Sequence, residues 1–133
     1  MPVAKRIALW ALAAFMVAIG TTHFLRPEPF VEIVPPFLPA PLTLVYVSGA
    51  CEILGGLGVL YPATRRIAAW GLIALYVAVF PANIYMAVEN VPIGGVQPPP
   101  WALWARLPLQ LVFIAWAWWF TRPTETGTRT GTR

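Results

Sequence analysis

The stretch "VYVSGACEILGGLGVL", residues 45–60, sets a carboxylate, Glu52, in a run that is otherwise apolar or small. A charged side chain at such a position is costly unless it is paired or serves a site. With the preceding "PLTL", residues 41–44, the run is long enough to cross a bilayer as one helix, since about 20 residues cover the hydrocarbon core.

Three more segments have the same character: 7–25, 67–87 and 102–120, beside 41–60. Hydrophobic residues make up 59% of the 133 and charged residues 11%, where soluble domains carry about 25% charged. A soluble chain this short cannot bury that much apolar surface. In lipid the backbone must satisfy its own hydrogen bonds, so the spans are expected to be helices. The sequence therefore predicts an all-α, integral membrane four-helix up-and-down bundle over residues 1–121, with the polar tail 122–133 disordered. The first segment is read as a span rather than a cleaved signal, because its apolar part exceeds an ordinary signal core.

Charge supplies the orientation. Lys5 and Arg6 precede the first span, Arg65 and Arg66 lie between the second and third, and Arg122, Arg129 and Arg133 follow the fourth. In an up-and-down chain all of these share one side, while the other holds Arg26, Glu28, Glu32 and Glu89. The positive-inside rule puts both termini in the cytoplasm. The net charge of +4 does not indicate nucleic acid, because the basic residues stand in ones and twos with no basic face. Trp101 and Trp104 open the last span and Trp116, Trp118 and Trp119 close it, the pattern of interfacial belts.

The two loops on the far side are rich in proline. "RPEPFVEIVPPFLPAP", residues 26–41, excludes a long helix or a central strand. Its Phe30, Ile33, Val34, Phe37 and Leu38 suit a lid lying on the bundle; a plain rigid connection is the other reading. "VPIGGVQPPP", residues 91–100, reads as a glycine turn followed by a stiff polyproline stretch.

Polar residues within the spans are unevenly distributed. His23 stands near the far end of the first span and Asn83 about one turn inside the third. Arg106 lies roughly 8 Å into the fourth, with Gln110 one turn deeper on the same face. Ser48 is roughly 10 Å into the second, with Glu52 one turn deeper still. Residues 8–19, 53–60, 67–75 and 111–120 contain no ionisable group or amide. A channel or transporter needs polar groups through the whole thickness. This distribution instead predicts a blind pocket in one half of the bundle, with Glu52 at its floor. His23, Ser48, Glu52, Asn83, Arg106 and Gln110 are its candidate ligand-binding residues, and Glu52 is the best candidate for acid–base work. The alternative is that these groups are polar glue between helices, with Glu52 and Arg106 as an ion pair.

Cys51, Gly55, Gly56 and Gly58 read as small packing surfaces, and Pro81 and Pro108 as kinks. With one cysteine and one histidine, no disulfide, CxxC pair or metal site of the chain's own is expected.

The segments "GTTHFLRPEPFVEIVPPFLPAP", "LVYVSGACEILGGLGVLYPATRR", "AVFPANIYMA" and "WARLPLQ" resemble the DoxX-like family of small bacterial membrane proteins, over about residues 15–120. That resemblance implies a four-helix protein of the bacterial inner membrane. It also implies a link to quinone-coupled oxidation, with no intrinsic cofactor, a quinone-like or lipid-like ligand and a redox or membrane-complex protein partner. The single Cys51 does not supply the thiols of a sulfur relay. Two functions follow: a redox-linked accessory or oxidoreductase subunit holding a small amphipathic ligand, or a non-catalytic subunit or assembly factor of a larger membrane complex. Catalysis by the chain itself is left open by its residues.

The charge pattern predicts that alkaline phosphatase fused within residues 27–40 is active, and that the same reporter fused after residue 133 is silent. The reverse activities would refute the orientation.

Overall fold

Each apolar run folds into a helix, and the first and third of these helices extend past their apolar cores into flanking polar residues. The computed structural model describes residues 1–92 and 95–122. It contains α1 (Val3–Leu25), α2 (Glu28–Glu32), α3 (Pro41–Leu60), α4 (Arg65–Glu89) and α5 (Pro100–Trp118), with no strand among the described residues. α1 takes in Lys5 and Arg6, and α4 takes in Arg65, Arg66 and Glu89. α5 starts at Pro100 and stops at Trp118, two residues earlier at each end than hydropathy suggests. Proline suits the first turn of a helix, whose N–H groups have no intrahelical partner. The expected disorder of the tail falls on residues 123–133, outside the described residues, as do Arg129 and Arg133.

Contacts between the long helices fix their directions. A Cβ on Gly20 of α1 would meet Gly49 and Glu52 of α3, while one on Gly56 would meet Met16 and Ala13. Residue numbers rise on one helix as they fall on the other, so α1 and α3 are antiparallel. Gly55 against Leu72 and Gly58 against Ala68 give the same result for α3 and α4. Asn83 with Gln110 and Met86 with Arg106 give it for α4 and α5. The circuit closes through Trp116, whose indole Nε1 donates to the Ala8 carbonyl at 3.0 Å. Trp116 also lies near Phe15 and Phe113, so it is an interhelical anchor rather than part of the expected belt.

The bundle has two unlike ends. Lys5, Arg6, Arg65, Arg66 and Arg122 gather at one, the basic end. There Arg65 donates from Nε to the Val59 carbonyl at 2.7 Å and from Nη2 to that of Leu60 at 3.2 Å, capping α3 with a cation. Leu9, Leu12, Met16, Val59, Leu72 and Phe120 fill the interior of this half. The opposite end carries α2, the first proline-rich loop and a smaller cluster of Met86, Ala87, Val91 and Leu103.

Outward faces remain apolar, with Ile7, Leu54, Ile67 and Val77 all exposed. α1, α3 and α4 are each long and apolar enough to cross a membrane; α5 is not among them.

α1 and α3 pack most closely where side chains are absent. A Cβ on Gly49 would lie 2.6 Å from the His23 Cβ, and one on Gly20 2.7 Å from the Gly49 carbonyl oxygen. Cys51, expected in the packed interior, is exposed instead. Gly49, two residues before it, takes the interhelical position that close packing requires. Gly49→Leu is predicted to destabilise the protein by about 1–3 kcal/mol or more through overpacking. Gly71→Ala, where an added Cβ meets nothing within 4 Å, is predicted to be neutral or slightly stabilising. Reversible unfolding of both variants in detergent checks the contrast.

Candidate functional site

α3 and α4 touch near the basic end through Gly55 and Gly58, and a cavity of about 500 Å³ lies between them toward the other end. Pro81 stands in the α4 wall of this cavity, inside the helix. Having no N–H, it leaves the Val77 carbonyl one turn back without its helical donor. In that same turn the Tyr76 carbonyl accepts from Gln110 Nε2 at 2.5 Å.

All six residues expected at the site line this one cavity: His23 from α1, Ser48 and Glu52 from α3, Asn83 from α4, and Arg106 and Gln110 from α5. The rest of the lining is mostly apolar. The first proline-rich loop supplies Phe30, Ile33, Val34, Pro35, Phe37 and Leu38, so it covers the cavity as a lid and is more than a connector. Phe30 stacks on the His23 ring with centroids 3.9 Å apart. Within the loop, α2 is the one helical turn that the prolines leave room for.

The six residues divide by their bonding. Asn83 Nδ2 donates to Gln110 Oε1, and Gln110 passes a hydrogen bond on to the Tyr76 carbonyl. Both ends of the Gln110 amide are thereby used, and the pair fastens α4 to α5. For these two residues the interhelical-glue reading holds.

Glu52 is different. It is 7% exposed, and its Oε2 is buried with no hydrogen-bond partner. The ion pair considered from sequence does not form: no contact joins Glu52 to Arg106, and the basic group facing the carboxylate is His23, its Nδ1 3.8 Å from Oε2. The physical reason is the glycine contact between α1 and α3, which draws His23 to Glu52. Arg106 lies higher, with Nη1 4.0 Å from the Met86 sulfur, in contact with the cavity and partly exposed.

His23 makes its firm hydrogen bond elsewhere. Its Nδ1 lies 2.8 Å from the Ile19 carbonyl oxygen. A carbonyl only accepts, so Nδ1 carries the proton in that bond and Nε2 is the other ring nitrogen.

Tyr76 belongs to the site but escapes a reading of the apolar runs. Its hydroxyl meets the Met16 sulfur at 2.6 Å and its side chain borders the cavity. The available signal was its spacing: Tyr76 and Asn83 are seven residues apart, two turns on one helix face. Beneath the cavity Tyr76 joins Leu72, Met16 and Leu12 in the apolar core, which gives the cavity a closed floor.

Leu44 and Val47 on α3 and Ala78 and Pro81 on α4 line the cavity while being exposed. The cavity thus opens sideways between these helices, through an apolar rim.

Fold and site together define a small protein, all-helical among its described residues, with antiparallel long helices around a cavity to which four of them bring polar side chains. The chain belongs to the family described as Domain of unknown function (DUF8561), which it matches over residues 12–121. No curated protein and no solved structure matches it.

Gln110→Leu leaves the Tyr76 carbonyl and the Asn83 amide without partners, and is predicted to cost about 1–3 kcal/mol. A double-mutant cycle of Asn83→Ala with Gln110→Ala is expected to show a coupling of about 0.6–1.7 kcal/mol, the range of hydrogen-bonded pairs between membrane helices. Unfolding in mixed detergent micelles measures both values.

Proposed function

We propose that this chain is a four-helix integral membrane protein whose cavity holds a small amphipathic molecule with a quinone-like head group, as a redox-linked accessory or oxidoreductase subunit. In this proposal α5 crosses the bilayer beside the other three long helices. Both termini lie in the cytoplasm of a bacterial cell, and the cavity occupies the outer half of the inner membrane.

The observation that carries the reading is the buried Glu52 Oε2, unpartnered on a side chain that lines a largely apolar cavity. A group of this kind costs stability and is ordinarily kept for a ligand. The sideways apolar rim suits entry from lipid, and the closed floor suits binding over passage. Arg106 and Ser48 would donate to oxygens of the head group, and Glu52 would accept or exchange a proton. His23, first expected as a donor, commits its Nδ1 to the Ile19 carbonyl and acts mainly as a wall under Phe30. Electrons would come from a partner protein. Membership of the DoxX-like family, suggested by the residues around His23, Glu52, Asn83 and Arg106, is part of this proposal.

The second reading, a non-catalytic subunit or assembly factor, draws support from the Asn83–Gln110–Tyr76 chain, which is interhelical glue. It leaves the open carboxylate unexplained. Isolation of a stoichiometric membrane partner from native lipid, with no ligand in the cavity, would favour it.

Binding of a short-chain quinone, offered in oxidised and reduced forms to protein in lipid nanodiscs, tests the first reading. Glu52→Gln and Arg106→Leu are each predicted to weaken binding by about tenfold, equivalent to one lost hydrogen bond to a charged group. Unchanged binding in both folded variants would overturn it.

A further inference from the structure

The bonding around the cavity floor constrains the ligand beyond its size and polarity. Most donors near the floor are already committed: His23 Nδ1 to the Ile19 carbonyl, Gln110 Nε2 to the Tyr76 carbonyl, Asn83 Nδ2 to Gln110, and the Tyr76 hydroxyl to the Met16 sulfur. What remains without a hydrogen-bond partner is an acceptor, Glu52 Oε2, on a buried side chain that lines the cavity. Ionised, Glu52 offers lone pairs alone, so a carbonyl or ether oxygen placed against it would set lone pair against lone pair. A hydroxyl would supply the missing hydrogen bond, strengthened by the acceptor's charge.

We infer that the cavity selects ligands whose buried end is a hydrogen-bond donor, a phenolic or hydroquinone hydroxyl given to Glu52 Oε2, over equally shaped ligands whose oxygen carries no proton. The inference rests on the proposed ligand-binding role of the cavity and gives the class of ligand. The cavity's volume of about 500 Å³ and its apolar lining, Phe30, Ile33 and Val34 among it, give such a ring room and apolar contact. Arg106, which lines the cavity from α5 beside Met86, is left to meet whatever oxygen the ring carries at its other end.

Two probes of matched shape, 4-hexylphenol and 4-hexylanisole, differ at the decisive atom, an O–H against an O–CH₃. Thermal stabilisation of the purified full chain in one detergent is followed against probe concentration, for the wild type and for Glu52→Gln and Glu52→Leu. Stabilisation grows with the logarithm of one plus the ratio of free probe concentration to Kd, so each series yields an affinity. Comparing each variant with wild type for the same probe removes differences in micelle partitioning.

The wild type is expected to bind the phenol about tenfold or more tightly than the anisole, as a hydrogen bond to a charged acceptor implies. Glu52→Leu is expected to remove that preference, and Glu52→Gln, which keeps a carbonyl acceptor, to retain part of it. Two results overturn the inference and leave ligand binding standing: equal binding of both probes by the wild type, or a phenol preference that survives in Glu52→Leu. Failure of both probes to bind would overturn the inference and the ligand-binding reading together. If Glu52→Leu does not fold, Glu52→Gln decides: a phenol preference identical to that of the wild type counts against the inference.

Discussion

The approach of α1 to α3 at Gly20, Gly49 and Gly56 is the contact on which the remaining geometry hangs. No side chain keeps the two backbones apart there, and a Cβ on Gly20 or Gly49 would run into backbone carbonyl oxygen. The approach places the His23 Cβ against Gly49 and the Glu52 Cβ against Gly20, and so sets the imidazole beside the carboxylate. On its other face α3 meets α4 through Gly55 and Gly58, near the basic end. Near contact at that end, with larger side chains and the α4 proline toward the other, leaves a wedge between α3 and α4. The cavity is that wedge.

Within the wedge, polar groups of similar chemistry do different work. The amides of Asn83 and Gln110 satisfy each other and a backbone carbonyl beside the proline turn. Removing one would leave the others exposed to the full cost of an unmet buried polar group. Glu52 has no such arrangement. An acceptor left open at a cavity wall gives the protein no packing benefit, whereas a closed hydrogen-bond chain does. The two classes cannot be separated by residue type, since both are ordinary polar side chains at mid-helix. Only the bonding separates them.

That distinction marks how far the sequence could be read. Long apolar runs and the one-sided placement of His23, Ser48, Glu52, Asn83, Arg106 and Gln110 are one-dimensional signals. They led to the long helices and to a single cavity lined by all six. Partner choice is not such a signal. Glu52 and Arg106 share the same half of the bundle, and their opposite charges make them an obvious pair on paper. Yet α1 is brought to α3 by glycines whose packing role depends on which face of each helix they occupy, and His23 comes with it. Cys51 shows the same limit: a small residue beside a glycine-rich run looks like packing, and a turn of about 100° per residue puts it outside. Tyr76 was lost for another reason, since it sits within a long apolar run and its hydroxyl is met by a thioether, a partner no polar pattern reveals.

A closed floor and a sideways opening also limit what the cavity can be for. Leu12, Met16, Leu72 and Phe120 seal the half of the bundle beneath it. A molecule that enters between α3 and α4 must leave by the same gap or by displacing the Phe30 lid. Vectorial passage through the bundle would require opening a core in which these side chains are almost fully buried. Exchange with the surroundings of the rim requires only that a few apolar side chains, Leu44 and Val47 among them, give way. On the proposed reading those surroundings are lipid. The carboxylate then confronts molecules already dissolved in the bilayer, and its open oxygen sorts them by whether they bring a proton to share.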